Sequence, residues 1–451
     1  MASPVFFFFL SALFSLSHSS LILPLSHSLS TTLFNTTHHL LKSTASNSAS
    51  RFHRHRRQRR RLAPLPPLRV HPLRRQVLPL LHPPSRPLNL SSAARRSTCK
   101  SAACSAVHSS LPSSDLCAMA KCPLESIEIS DCKSFPCPPF YYAYGDGSFI
   151  AKLYEDTLSI PMSTPSLKLP NFTFGCAHTA LGEPIGVAGF GRGVLSLPAQ
   201  LATSSPEIGN YFSYCLISHS FDMTRVRKPS PLILGRYENK EKKLRNEVSE
   251  SEDVVYYSYT PMLDNPKHSY FYCVGLEAVT VGKRRIPAPE SLRRVDRRGN
   301  GGMVVDSGTT FTMLPRKFYE SVVGEFDHRV GAVYRRASSV EERTGLSPCF
   351  YGNKGEKFFA SVPKLALHFG GNSTVVMPSM NYFYEFFDGR AKRKVGCMML
   401  MDGGDEEESG GGPAGLLGNY QQQGFEVVYD LEAKRVGFAK RKCASLWDTL
   451  K

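Results

Sequence analysis

From Phe140 onward the chain is written in short runs of β-branched and aromatic residues, repeatedly closed by glycine or proline. That punctuation leaves little room for long helices. The 34 glycines and 32 prolines supply turns throughout, and short β-rich runs bounded by turn formers read as strands. Strands are expected at residues 140–144, 153–160, 171–176, 254–260, 270–275, 278–281, 303–305, 425–430 and 435–439. Short helices are expected at 195–201 and 317–330. Gly145-Asp-Gly147 after Tyr144 supplies the positive φ of a hairpin turn. The fold class that follows is all-β with a few short helices. A length of 451 residues with 28 Phe and 19 Tyr can bury a sizeable core and suggests more than one domain.

The formal charge of +17 is not spread over the chain. Residues 1–96 hold 13 Arg and Lys42 but no Asp or Glu, which leaves 41 basic against 38 acidic residues in the rest. A nucleic-acid-binding domain carries its basic stripe on the folded surface, so no nucleic-acid partner is expected. Residues 1–20 read as a signal peptide, with an apolar run of 12 residues at 5–16 and no Lys or Arg before it. Residues 21–96 are rich in Ser, His, Pro, Leu and Arg, with a dense basic run at 51–61. Repeated like charges and prolines bury no core, so this stretch is expected to be a disordered or removable leader. No later segment reaches membrane length and the C-terminus has no apolar tail, so no stable membrane anchor is expected.

The 12 cysteines are Cys99, Cys104, Cys117, Cys122, Cys132, Cys137, Cys176, Cys215, Cys273, Cys349, Cys397 and Cys443. The first six fall into three pairs with four residues between members, whereas zinc ribbons use two and His clusters are absent nearby. Disulfides are therefore expected rather than a metal, with the connectivity open. Sequons at Asn35, Asn89, Asn171 and Asn372 fit the same compartment, the last two being the glycosylation candidates within the core. No cofactor is expected. The glycine-rich loop Gly186–Gly193 is followed by no Gly-Lys-Ser/Thr and no acidic ribose reader, and it reads as a packed turn. His53 and His55 lie in the basic run and read as solvated. No Gly-x-Ser-x-Gly nucleophile context is present, which argues against a serine hydrolase.

The chemistry lies in Val304-Val-Asp-Ser-Gly-Thr-Thr310. A β run delivers Asp306. Gly308 lets the backbone turn closely around the carboxylate, and the Ser307 and Thr309 hydroxyls can orient it. About a hundred residues later, Ala414-Gly-Leu-Leu-Gly418 has the composition to pass beneath that loop and pack there. Carboxylates of this kind usually work in pairs.

These motifs resemble the plant type of pepsin-like aspartic endopeptidase, related to nepenthesin-like proteases and xylanase-inhibitor-like proteins. Val305-Asp-Ser-Gly-Thr-Thr310 resembles the second catalytic loop, and Tyr144-Gly-Asp-Gly-Ser148 resembles the flap. Phe174-Gly-Cys176, Gly186–Gly193 and Tyr214-Cys215 resemble the rest of the N-terminal lobe; residues 415–430 and 436–438 resemble the close of the C-terminal lobe. The resemblance covers about 97–443 and implies a bilobal pepsin-like fold: a partial N-terminal lobe with its flap at 97–237, a charged linker loop at 238–253 and a C-terminal lobe at 254–451. It implies a monomer without cofactor or metal, secreted to the cell wall or sent to the vacuole, with a peptide or protein substrate in the interlobe cleft. Asp306 is then the second-lobe carboxylate, Thr309 its hydrogen-bond partner, and Ser307 a brace for the partner loop. Tyr144, Gly145, Asp146 and Gly147 face the substrate.

The family's mechanism needs a carboxylate from each lobe, sharing one proton and activating a water between them. The first loop should lie upstream of the flap, yet no acid precedes Asp115, and Asp115, Glu125, Glu128 and Asp131 stand in no Asp-Ser/Thr-Gly context. The expected stretch is occupied by residues 71–87, which read as neither strand nor catalytic loop, so the N-terminal lobe is expected to be incomplete. Three readings follow: an endopeptidase that has lost its first loop, a non-catalytic protease-like or xylanase-inhibitor-like binding protein, and a site shared between two copies. The first is favoured, with negligible peptidase activity for the chain as it stands.

Overall fold

A computed structural model of the chain describes residues 20–25, 37–57, 77–78, 89–90, 94–108, 111–129, 134–144, 147–160, 167–181, 188–218, 229–236, 255–353, 355–356, 360–405 and 412–450. The strands that organise it are β1 (Leu21–Leu25), β2 (Phe140–Tyr144), β3 (Gly147–Ile160), β4 (Leu167–Leu181), β5 (Tyr211–Cys215), β6 (Ser230–Leu234) and β7 (Ser258–Leu263). They continue with β8 (Cys273–Val274), β9 (Met303–Val305), β10 (Thr312–Leu314), β11 (Leu400–Asp402), β12 (Gly415–Leu417), β13 (Phe425–Asp430) and β14 (Arg435–Lys440). Two helices stand out: α1 (Thr37–Arg57) with 21 residues, where the sequence led to no helix, and α2 (Arg316–Gly331) with 16, which covers the helix expected at 317–330.

One sheet of 11 strands runs through both halves in the order β1-β6-β5-β13-β14-β7-β8-β9-β12-β10-β11. Its first six strands are antiparallel throughout, three from each half of the chain. The seam is β5 against β13, with Phe212 opposite Tyr429. Aromatic side chains weld it. Phe212 stacks on Tyr429 with ring centres 4.6 Å apart, and Tyr272 lies 4.4 Å from the same ring. Such pairs add about 0.5–1.5 kcal/mol each beyond the area they bury. The seam is also pinned covalently, since Cys215 on β5 bonds Cys443 at the start of the C-terminal helix.

The first half keeps a smaller sheet. β2 and β3 form a hairpin with Tyr144 opposite Gly147, and β4 runs along the other side of β3. Under it lie Cys104, Val107, Leu116, Phe140, Tyr142 and Leu153, with Cys104 bonded to Cys137. In the second half, α2 buries Phe318, Val322, Phe326 and Val330, the period of one helical face. Cys349 bonds Cys397, 48 residues on in sequence and directly opposite it in the sheet. Residues 238–253 lie outside the described residues.

Within residues 21–96, expected from composition to be a coreless leader, the described segments 21–25 and 37–57 join the fold. β1 pairs with β6 over five residues, from Leu21 opposite Leu234 to Leu25 opposite Ser230. α1 buries Leu40, Leu41, Ala45, Ser48 and Phe52. Its face packs on Phe311, Val340, Met399 and Tyr420, and Phe52 packs on Met313 and Leu416. Leu41, Ala45, Ser48 and Phe52 are spaced by four, three and four, which is one helical stripe. Two of its members are small and one is a serine, so the stripe is faint among histidines and arginines; the second half supplies the apolar face that makes it fold. Even the stretch 71–87 contributes a two-residue strand, Val77 opposite Gly189 and Leu78 opposite Ala188. Among the described residues no helix is long and apolar enough to cross a membrane.

Candidate catalytic loop and the interlobe seam

β9 ends at Val305 and hands the chain to Asp306. The backbone N–H of Asp306 donates to Leu417 O at 3.0 Å. β12 lies parallel to β9 with Leu417 opposite Val305, and it also touches β10 through Leu416 opposite Met313. The expected passage of residues 414–418 beneath the Asp loop is what the structure contains. Gly418 makes that passage fit. A Cβ there would sit 2.5 Å from Phe311 C and 2.7 Å from Thr310 C, both backbone.

Asp306 is 7% exposed, and its carboxylate is held at both oxygens. Gly308 N–H donates to Oδ1 at 2.7 Å, and the Thr309 hydroxyl donates to Oδ2 at 2.7 Å. The residues after β12 hold the loop from the far side. Asn419 donates from Nδ2 to Ser307 O at 2.9 Å and from its backbone to Thr309 O at 2.7 Å. Tyr420 N–H donates to Thr310 O at 2.9 Å. Gln421 Oε1 accepts from the backbone and the hydroxyl of Thr312, each at 2.9 Å.

Gln422 and Tyr214 lie in the family-like stretches of the sequence, which assigns neither a role at Asp306. Gln422 Nε2 donates to Leu417 O at 2.8 Å and to Asp306 O at 3.3 Å. Its Oε1 accepts from the Tyr214 hydroxyl, which also lies 2.9 Å from the Tyr429 hydroxyl. Burial pushes the Tyr214 and Tyr429 phenols well above their usual range, with the charge of Asp306 adding to the shift in both. They remain protonated donors at any working pH. The signal in the sequence is three consecutive glutamines, 421–423, set between two apolar strands, where buried polar groups need hydrogen-bond partners.

Among the described residues no second carboxylate loop joins this one. The first-half strand Ala188–Gly189 pairs with Val77–Leu78, and residues 71–87 contain no acid. Asp115 and Glu125 sit in first turns of short helices. The flap candidate is a hairpin in β2 and β3; Gly145 and Asp146 at its tip lie outside the described residues.

Among the cysteine candidates, Cys122, Cys176 and Cys273 are thiols and not disulfides. Cys176 is exposed on β4, and Cys273 is buried against Val304 in a separate apolar cluster, where burial pushes its thiol up to about 12. Cys99 is disulfide-bonded, and its Sγ lies 4.0 Å from that of Cys117. Cys132 lies outside the described residues. Asn171 and Asn372 are both exposed and both take positive φ, 55° and 60°.

Family comparisons agree with this geometry over both lobes. The model described as xylanase inhibitor N-terminal matches residues 81–236, and that described as xylanase inhibitor C-terminal matches 271–440. A probable aspartyl protease of Arabidopsis thaliana is 61% identical over 383 residues, 82% of this chain and 75% of that one. The chain belongs to the plant pepsin-like aspartic protease family. Within that family it is also similar to the aspartic proteinase nepenthesin-1 of Nepenthes gracilis, 30% identical over 314 residues, 68% of this chain and 61% of nepenthesin-1. Among solved structures, edgp superposes with a TM-score of 0.56 at 22% identity over 79% of this chain and 84% of that one. Conglutin gamma, a basic 7S globulin from lupine seeds, does so at 0.54 and 19%, over 81% and 86%. Those likenesses show the bilobal fold alone.

Proposed function

We propose that the chain carries the second-lobe half of an aspartic endopeptidase site, and that with Asp306 alone it cleaves peptides at a negligible rate. The observation that carries the reading is the Asp306 loop, where both carboxylate oxygens accept ordered donors and the whole loop is tied to β12. In the complete two-carboxylate arrangement, one member takes a proton from the attacking water while the other hydrogen-bonds the substrate carbonyl. A lone carboxylate can take the proton, but among the described residues no second acid stands opposite to protonate the carbonyl oxygen. The β2–β3 hairpin is assigned the covering role, with Tyr144 and Gly147 flanking its tip. The test is to sequence the source transcript across codons 50 to 100 and to insert any Asp-Ser/Thr-Gly segment found there. The restored chain gains acid peptidase activity that Asp306→Asn abolishes. A restored chain that stays inactive overturns the assignment.

A second reading is favoured by the single acid together with the xylanase-inhibitor description of both matching families. The chain then binds a protein or a polysaccharide-degrading enzyme without cleaving it. Calorimetry against a purified xylanase separates the two readings. Secretion as a monomer to the cell wall or vacuole, with glycans on Asn171 and Asn372, completes the proposal. The disulfides and the exposure of both asparagines support it. Loss of mass from the secreted protein after Asn171→Gln and Asn372→Gln checks it.

A further inference from the structure

We infer that Tyr214 and Gln422 are positioning residues for Asp306, and that the first half of the chain sets the geometry of the second-half carboxylate through them. Tyr214 belongs to β5 of the first half, while Gln422 follows β12 of the second. Tyr214 donates to Gln422 Oε1, which fixes which end of the amide points which way. The two Nε2 hydrogens then point at Leu417 O and Asp306 O, on the two parallel strands that form the loop's floor. Tyr429 closes the network from β13 at 2.9 Å. All three side chains are essentially buried, at 1% for Tyr214, 1% for Gln422 and 0% for Tyr429. No water competes there, so a removed partner leaves a buried polar atom unsatisfied and the loop shifts to recover it.

The amide hydrogens of Gln422 act on the backbone of Asp306, not on its carboxylate, so both residues work through the loop. The inference rests on Asp306 being the working carboxylate of this half. Its test reads the loop without peptide turnover, so its failure is distinguishable from failure of the proposed activity. The full chain is prepared as wild type, Tyr214→Phe, Gln422→Glu and Gln422→Leu. Hydrogen exchange is followed at the amides of Asp306 and Gly308, together with the carboxyl carbon resonance of Asp306, assigned through Asp306→Asn.

Tyr214→Phe keeps the ring and its packing and removes only the hydroxyl. It is expected to speed exchange of the two loop amides about tenfold and to move the Asp306 resonance, while amides of β13 and β14 keep their protection. Gln422→Glu keeps the oxygen that Tyr214 meets and loses the donors to Asp306 and Leu417. It is expected to loosen the loop as far as Gln422→Leu does. Wild-type exchange and an unmoved resonance in Tyr214→Phe and Gln422→Glu overturn the inference. Uniform acceleration across β13 and β14 as well overturns it too, because that is the mark of packing alone.

Discussion

Replacing Gly418 with alanine is expected to destabilise the protein by about 2 kcal/mol, for a purely steric reason. The backbone of Gly418 has φ −76° and ψ 162°, which alanine adopts freely, so no backbone strain is involved. The added methyl would lie 2.5 Å from Phe311 C and 2.7 Å from Thr310 C. That is about 1 Å inside ordinary carbon contact. Neither neighbour can swing away, because both are backbone in the loop that Asn419 and Tyr420 fasten. Overpacking of this kind costs up to about 3 kcal/mol. The stiffer unfolded chain returns about 0.4–1 kcal/mol. The control is Gly324→Ala in α2, where a Cβ meets nothing within 4 Å. There the helix gains about 0.5–1 kcal/mol. Urea unfolding of both variants decides the matter. If Gly418→Ala matches wild type or exceeds it, β12 does not pass under the Asp306 loop as described.

Phe52→Ala in α1 should cost about 3–5 kcal/mol by the same unfolding measurement, because its ring is fully buried against Met313 and Leu416; a change within a few tenths would return α1 to the status of a leader. Breaking the Cys215–Cys443 disulfide, which spans 228 residues of chain, should remove on the order of 5 kcal/mol in the chain-entropy account, read as a fall in Tm for Cys215→Ser with Cys443→Ser. Burial holds the His108 imidazole below its ordinary value, against a smaller upward pull from its hydrogen bond to Pro138 O. The folded state then binds its proton less readily than the unfolded chain, so this contribution is present above about pH 6.5 and is lost as pH falls below it. The fall in Tm from pH 7 to pH 5 should be shallower in His108→Asn.

What the sequence made legible was what local chemistry determines. β9 at 303–305 and β13 at 425–430 were read with their observed ends, because β-branched and aromatic runs there stop at Asp-Ser-Gly and at an acidic turn. Asp306, Gly308 and Thr309 were legible as one unit because their hydrogen bonds span only two and three residues. The roles of Tyr214 and Gln422 were not, since they are 208 residues apart and meet only across the assembled seam. α1 was hidden for a related reason. Its apolar stripe is too thin to call a helix alone, and its partner face, from Phe311 to Tyr420, lies some 260 residues or more downstream.

The central claim is that a well-formed Asp306 loop without its partner does not make a working peptidase. The direct measurement is peptide cleavage at acid pH by the purified chain, run beside Asp306→Asn and with pepstatin. The account expects no pepstatin-sensitive turnover and no difference between the two proteins. Cleavage that pepstatin blocks and Asp306→Asn abolishes would contradict it, and would mean that a second acid reaches Asp306 from elsewhere in the chain or from another copy.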